Sequence, residues 1–425
     1  MTTSLRNPAV VAGAVALLTA VGTANAGPVF GNLLVTQNDT GNTAASVSGL
    51  LATNSGGTYA GGTRGDFALR FSGATEADDI SNGMLMASIR QNGRSNGGST
   101  PNVISNGLGY ATPAIQVRPN TGTGFTGVGT SINLSNANIT GAASGAEWNA
   151  DQSYGYFPYS EFLGGWATNG THDDSNTAGI NNGDLNAFAA STPGLTIGTG
   201  ATDPGTFNVF DSSANAGVYT LRLGNLNAAR PGLSSVPATS QNGVLLVVGG
   251  KNEDNYALSE ANADGSFSMI CKDNGTNGTS YENDPVAFTY VPLSHPDFTA
   301  IARVDGEGDT IVGSGIYTVT KGGTGEWYIS APGVNDLNSV LLISPEGGVG
   351  GGNRADNIWN FQWDDTNTRW VVQSRDLPGN ATTDPGLQNM AANEAAFSFV
   401  IAPIPAPGAA ALLGLGGLLA ARRRR

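Results

Sequence analysis

Three short apolar runs recur in the same order along this chain. Gly217-Val218-Tyr219-Thr220-Leu221 returns as Gly315-Ile316-Tyr317-Thr318-Val319, an offset of 98 residues. Asn242-Gly243-Val244-Leu245-Leu246 returns as Asn338-Ser339-Val340-Leu341-Leu342, an offset of 96. Ala287-Phe288-Thr289-Tyr290-Val291 has its counterpart in Ala396-Phe397-Ser398-Phe399-Val400, and the two lead into Pro292 and Pro403. Ordered matches at a nearly constant spacing mark a repeated supersecondary unit. A fainter first copy precedes them. Gly65 to Leu69 resembles the opening run, Asn82 to Met86 the second, and Tyr156-Phe157-Pro158 the closing one, with Asn149-Ala150-Asp151 echoing Asn262-Ala263-Asp264 and an insertion between Arg90 and Glu147.

The runs have the periodicity of strands. Tyr219, Leu221 and Leu223 fall on one face of an extended segment, with Thr220 and Arg222 on the other. Val244 to Val248 is apolar throughout, as in a strand covered on both faces. Turn clusters such as Asn274-Gly275 and Lys321-Gly322-Gly323 separate the runs, and Gly386 to Ala396 is the best, weak, internal helix candidate. The expected fold class is therefore all-β, with two or three tandem sandwich or jelly-roll-like modules. Boundaries are expected at 27–200 for a divergent first module, 201–295 for the second and 296–403 for the third. Pro204 and Pro296, each just ahead of a phenylalanine, serve as linker marks. Three modules closing around a pseudo-threefold axis is an arrangement the sequence leaves open.

Both ends differ from this body. Arg6, the apolar stretch Ala9 to Val21 and the small-x-small triplet Ala24-Asn25-Ala26 form the three parts of a secretory signal, cut after Ala26 by signal peptidase. At the other end Pro405-Ala406-Pro407 precedes Gly408 to Ala421, wholly apolar, and then Arg422, Arg423, Arg424 and Arg425. A helix of those apolar residues would be about 21 Å long, short against a hydrocarbon core of about 30 Å. The arginines stay on the cytoplasmic side and leave everything upstream outside, the same topology that the signal demands. The expected segments are thus 1–26 for the signal and 404–425 for a tail that anchors the chain transiently in the inner membrane.

That tail resembles the PEP-CTERM sorting tail, a Pro-Glu-Pro-like motif followed by a short apolar helix and an arginine cluster. Ala406 stands where the family name has Glu, and the Pro-Ala-Pro form looks like the variant seen in planctomycete-type bacteria. The resemblance covers only the C-terminal residues. It implies handling by an exosortase-like membrane protease and delivery to the cell surface or beyond, an address rather than an activity. An ordinary short tail anchor is the plainer alternative.

Composition limits the partners. Once Arg6 and the four terminal arginines are set aside, the body keeps 14 basic residues against 33 acidic ones, and only Lys251, Lys272 and Lys321 are lysines. A body of net charge −19 repels nucleic acid and anionic lipid, leaving divalent cations, neutral polysaccharide and cationic surfaces. Cys271 is the only cysteine, so core and backbone pairing must hold the fold without an internal disulfide. Its place in Phe267 to Cys271, a strand-like run, reads as a small buried side chain.

Sites of chemistry are sparse. His172 and His295 are the only histidines; the first reads as part of a solvated loop and the second as packing at a module joint. Gly122 to Gly127 spells a dinucleotide fingerprint without the strand and helix it needs. Arg64-Gly65-Asp66 spells an integrin-type triplet inside an expected strand. Asp305, Glu307 and Asp309 place three carboxylates on alternate residues of a glycine-containing loop, a pattern suited to a structural Ca²⁺, with Glu253-Asp254-Asn255 as a weaker candidate. Trp359 and Trp363, with Phe361 between them, line one face of a strand and are the candidates for stacking on sugar rings; aromatic burial is the competing explanation. No catalytic motif is present. The expectation is a non-enzymatic structural or adhesion-type surface protein, with a carbohydrate-binding array as the alternative and a secreted hydrolase as a further one.

Overall fold

The computed structural model describes residues 27–35, 45–48, 66–69, 83–90, 111–116, 127–133, 151–167, 196–198, 209–212, 218–224, 236–250, 256–272, 286–347, 357–376 and 396–404. Among them the fold is all-β: 23 strands in four sheets. Strand pairing sorts them into three matching sets. The first comprises β1 (Val29–Val35), β2 (Ala45–Ser48), β3 (Asp66–Leu69), β4 (Gly83–Arg90), β5 (Ala111–Gln116), β6 (Gly127–Asn133) and β7 (Asp151–Pro158). The second comprises β8 (Leu163–Ala167), β9 (Thr196–Gly198), β10 (Val209–Ser212), β11 (Val218–Leu221), β12 (Gly243–Gly250), β13 (Tyr256–Ala261), β14 (Phe267–Lys272) and β15 (Val286–Pro292). The third comprises β16 (Ala300–Asp305), β17 (Thr310–Gly315), β18 (Thr318–Gly323), β19 (Glu326–Ser330), β20 (Ser339–Pro345), β21 (Asn357–Asp364), β22 (Arg369–Asp376) and β23 (Ala396–Pro403).

Each set contributes an inner antiparallel ribbon, ordered β4-β7-β1, β12-β15-β8 or β20-β23-β16. Each also contributes an outer ribbon, ordered β3-β6-β5, β11-β14-β13 or β19-β22-β21. The central ladders share one register. Gly83 faces Pro158, Gly243 faces Pro292 and Ser339 faces Pro403, and each ladder runs back from that pair. The proline ends each closing strand, where its missing N–H breaks no interior pairing. In two ladders a tyrosine two residues before the proline, Tyr156 or Tyr290, lies over the glycine, so a methyl there would fall on the ring. The third ladder has Ser339 and, at the tyrosine position, Ile401.

The three sets are joined head to tail. β21 of the third set continues the edge of β4 in parallel through Phe361 and Arg90. β5 of the first set continues β12 through Ala114–Gly249 and Ile115–Gly250. Ser259 in β13 of the second set bridges in parallel to Glu346, just past β20. Each inner edge strand is therefore met at its far end by the outer ribbon of a different set, and the cycle closes. A second series of links repeats this cycle. Ser88 Oγ donates to the Ile343 carbonyl (3.0 Å) and accepts from the Ile343 N–H (2.9 Å). Ser344 Oγ accepts from the Val247 N–H (3.0 Å). Ser88 and Ser344 occupy matching positions; at the third such position stands Val248, which has no hydroxyl.

Two-faced burial follows from this closure. Met84, Met86, Val244, Leu246, Val248, Val340 and Leu342 meet in one shared core with Phe157, Val291 and Val400. The opposite faces of the inner ribbons fill separate cores: Leu245, Val247, Phe288 and Tyr290 pack on Tyr219, Leu221 and Met269, and Leu341, Phe397 and Phe399 pack on Trp327, Trp359 and Phe361. A central strand buried on both faces has no polar position to offer, which accounts for the unbroken apolar run from Val244 to Val248. Cys271 is fully buried in the second of these cores. The crossing positions carry the buried charges: Arg90 donates to Asp336 (2.5 Å), and Glu346 accepts from Arg303 (2.6 Å) and Ser398 (2.7 Å).

Three expectations are corrected by the pairing. Gly315 to Val319 does not occupy the place of β11; it spans the break between β17 and β18, and the strand paired as β11 is paired is β19. The resemblance there is one of strand-forming composition. The expected boundary at residues 200 and 201 also moves, because β8 lies against β15 as β1 lies against β7 and β16 against β23. The second set thus opens at Leu163, directly after the first closing strand. Asn149-Ala150-Asp151 is likewise not matched to Asn262-Ala263-Asp264, since Asp151 opens β7 while Asp264 sits in the β13–β14 turn.

Gly243→Ser alone should destabilise the protein by about 1–3 kcal/mol by overpacking against Tyr290. Adding Tyr290→Ile, which installs the third ladder's pair, should recover part of that loss in denaturant unfolding, whereas strictly additive losses would rule out the coupling. Ser344→Ala should cost about 1–3 kcal/mol by leaving the buried Val247 N–H unpaired, and Ser88→Ala should cost at least as much, as read from the midpoint of the same unfolding curves.

Candidate functional site

The expected sites fare differently. Ala24, Ala26, Pro405, Ala406, Pro407 and Arg422 to Arg425 lie outside the described residues, as do His172 and Glu253-Asp254-Asn255. Among the described residues no helix is long and apolar enough to cross a membrane. Trp359 and Trp363 are buried, at 6% and 9% exposure, so they offer no platform to a sugar ring. Trp359 packs at 4.7 Å on both Trp327 and Phe397, and Trp363 lies edge-on to Trp370 at 4.9 Å. The alternation that put them on one face of β21 is real, but that face is the core side.

The Asp305–Asp309 loop is the turn between β16 and β17. Asp305 Oδ1 accepts from the N–H groups of Glu307 and Asp309, both at 2.9 Å, which closes the turn without an ion. Gly308, at φ +90°, takes the left-handed conformation the turn needs. Glu307 turns away to Lys321, 2.9 Å from its Nζ. The Asp305 carboxylate thus serves the turn and that of Glu307 an ion pair, and the three are not among the acidic groups that converge within 4.8 Å.

A different trio does converge. Glu161, His295 and Asp297 bring one potential ligand atom each within 4.8 Å of one another. The fold assembles them from matching places. Glu161 is the third residue after Pro158, in the turn from β7 to β8, where the Glu161 and Phe162 N–H groups both donate to the Pro158 carbonyl at 3.0 Å. His295 is the third residue after Pro292, in the turn from β15 toward β16, and its N–H donates to the Pro292 carbonyl at 3.0 Å. The residue directly after each closing proline, Tyr159, Leu293 or Ile404, packs on the shared core. Both junctions therefore meet at one end of that core.

Aromatic rings floor the cluster. The His295 ring stacks on Phe162, with centroids 4.4 Å apart, and meets Phe298 edge-on at 5.3 Å. Phe30, on β1, adds an edge contact to Phe298 at 5.4 Å. Burial depresses the His295 pKa, with Asp297 pulling the other way. Glu161 is pushed up by burial and then by the like charge of Asp297. His295 Nε2 stands 4.0 Å from Glu161 Oε2, a long contact for an ion pair. Two carboxylates thus share a place where the nearby base favours its neutral form. The donor set, one imidazole and two carboxylates, suits a divalent cation or an ammonium group.

Gly27 completes the site. A Cβ built on it would lie 3.9 Å from Asp297 Oδ2 and 3.9 and 4.0 Å from the two carboxylate oxygens of Glu161. The start of the first set is thereby brought against the junctions on either side of the second. The sequence supplied His295 as a joint residue but gave no sign of Glu161 and Asp297, because nothing in the local pattern of either marks a shared destination. The available signal was positional and covered only part of the trio: Glu161 and His295 each follow a closing proline by three, and Asp297 by five. Comparison with family models, with curated proteins and with solved structures finds no match for this chain.

Proposed function

We propose that this chain is an exported, non-enzymatic structural protein of the cell surface, parked in the inner membrane by its C-terminal tail and released from it by an exosortase-like protease. The tail's Pro-Ala-Pro motif, apolar segment and arginine cluster carry the sorting part of that reading, and the N-terminal signal carries the export part. The observation that supports it best is where the β body lets the two ends out. Val29, the third residue after the expected signal cut, and Ile404, the first residue of the expected tail segment, pack into the same buried cluster. A body whose termini leave from one end can be drawn through the membrane, held by its tail and cut free without unravelling a strand.

A structural role agrees with the way the residues are used. The tryptophans singled out for sugar binding are core, and the loop singled out for Ca²⁺ is closed by its own hydrogen bonds. The body keeps its strongly acidic surface and few lysines, which suits hydrated matrix or neutral polysaccharide surroundings and disfavours nucleic acid.

The intact mass of the protein recovered from its native cell surface and growth medium tests this reading. A mass beginning at Gly27 and ending near Pro405 is the expected result. Retention of Arg422 to Arg425 in the surface material would reject processing of the tail.

A further inference from the structure

The carboxylates of Glu161 and Asp297 crowd together with no fixed cation beside them among the described residues, only the ring of His295. The group lying against both is Gly27, the residue that follows the small-x-small triplet Ala24-Asn25-Ala26. We propose that signal removal builds an ion pair here: the α-ammonium freed on Gly27 seats between Glu161 and Asp297 and fastens the start of the first strand set to both junctions. This rests on the export reading above, because it requires the cut after Ala26.

The chemistry is hydrolysis of one peptide bond. Water adds across it, the Ala26 carboxylate leaves with the signal peptide, and the Gly27 nitrogen takes up protons to become an ammonium. Before the cut that nitrogen is a neutral amide and carries no charge to pair with the two carboxylates. After it, a positive charge appears about 2.5 Å from a point that is 3.9 Å from an oxygen of each carboxylate. A cation that close favours the ionised form of both acids, and each acid in turn favours the ammonium. Glu161 is half-buried and Asp297 exposed, so water screens the Asp297 half of the pair more than the Glu161 half.

The geometry also explains why the pair would matter to this architecture. Two of the three set-to-set passages are covalent, Pro158 to Leu163 and Pro292 to Ala300. The third, from the end of β23 back to the start of β1, has no peptide link. An ammonium on Gly27 held by Glu161 and Asp297, one from each covalent junction, supplies a non-covalent fastening at the open passage. Until the signal is removed that fastening is absent, so the cycle is completed only after export.

The test compares two otherwise complete chains, one beginning at Gly27 and one beginning at Ala26, each with and without Glu161→Gln/Asp297→Asn. The rate at which acetic anhydride acylates the N-terminal amine at neutral pH is followed by mass mapping of the first peptide. The Gly27 chain should be acylated about tenfold more slowly than the Ala26 chain, because a paired amine stays protonated. That difference should vanish in the double variant, and single Asp297→Asn, at an exposed position, should remove part of it with the fold intact by circular dichroism. Equal rates in the two chains, or a slow rate that survives loss of both carboxylates, would overturn the pair. So would an unfolding midpoint that drops on chelation in the unsubstituted Gly27 chain but not in the double variant, since the carboxylates would then hold a metal ion. N-terminal sequencing of the native surface protein separates the two readings. A start elsewhere than Gly27 removes the cleavage on which the proposal stands, whereas a start at Gly27 with equal acylation rates removes only the ion pair.

Discussion

The whole body depends on one ladder used three times: an inner edge strand running against a closing strand, fixed at one end by a small residue opposite a proline. The register does the organising. A slip of one residue in any ladder would exchange the shared-core face for the outer-core face. In most sheets such a slip is opposed by burying polar residues; here both faces are already buried and mostly apolar, so that penalty falls on a few positions such as Ser88, Arg90 and Ser344. Something else must pin the alignment. The glycine under Tyr156 and the glycine under Tyr290 do so sterically, since only a residue without a Cβ accepts the ring. The third ladder uses Ser339 with Ile401, a smaller cross-strand volume against a slightly larger edge residue. The terminal prolines lack an N–H, but in two ladders the next residue resumes the pairing, Leu293 N–H donating to the Asn242 carbonyl and Ile404 N–H to that of Asn338.

Closure of the ring removes a hazard that the ladders would otherwise create. β4, β12 and β20 are edge strands of their own ribbons, and long apolar edges invite pairing with other molecules. The outer ribbon of another set engages the far end of each, and the rest of each edge packs into the shared core, all in one cyclic arrangement. Ser88 and Ser344 add side-chain partners for backbone groups next to those crossings. Because Val248 lacks a hydroxyl, the three joints are not equivalent, and the one between β12 and the first set relies on β5 pairing and apolar packing. The crossings near Arg90 and Glu346 are tied by buried charged groups, each held by a partner from the third set. Removing one member of such a pair strands a charge in a dry place, so these contacts fix geometry more than they add stability.

Much of this was written legibly in the chain. The all-β character, the second and closing runs, the doubly covered strand Val244 to Val248 and the burial of Cys271 all follow from period and composition. The first set's ladder was readable too, through Asn82 to Met86 and Tyr156 to Pro158. What the sequence concealed has two physical causes. One is that β-forming runs look alike: Gly315 to Val319 matches Gly217 to Leu221 in letters, yet β19, with Trp327 and Ile329 facing the core, takes the corresponding place. The other is that alternation tells which residues share a face and not which face is wet. Trp359 and Trp363 share a face with Phe361, and the decision between sugar platform and core was made by Phe397 and Trp327, far away in sequence. The convergence of Glu161, His295 and Asp297 is concealed for the same reason, since it depends on two junctions meeting at the end of a core.

Cyclic closure built from a single chain leaves a seam, and the position of the seam is informative. Three identical chains would close with three equal interfaces; one chain carrying three sets has two covalent passages and one gap. The gap has to fall between the last closing strand and the first strand, so the two termini necessarily emerge near each other, at the end of the shared core where Val29 and Ile404 lie. For a protein drawn outward behind a signal and held by a tail, that is the arrangement with least topological cost, because no part of the ring is threaded between the two attachment points. It also gathers at one end Gly27, the junction acids Glu161 and Asp297, the half-buried His295 and the end of β23. The acids are therefore better understood as belonging to the seam than as a fragment of an unfinished active site. They come from the two covalent junctions and lie against Gly27 at the start of the first set, so a charge gained by Gly27 would tie the open passage to both.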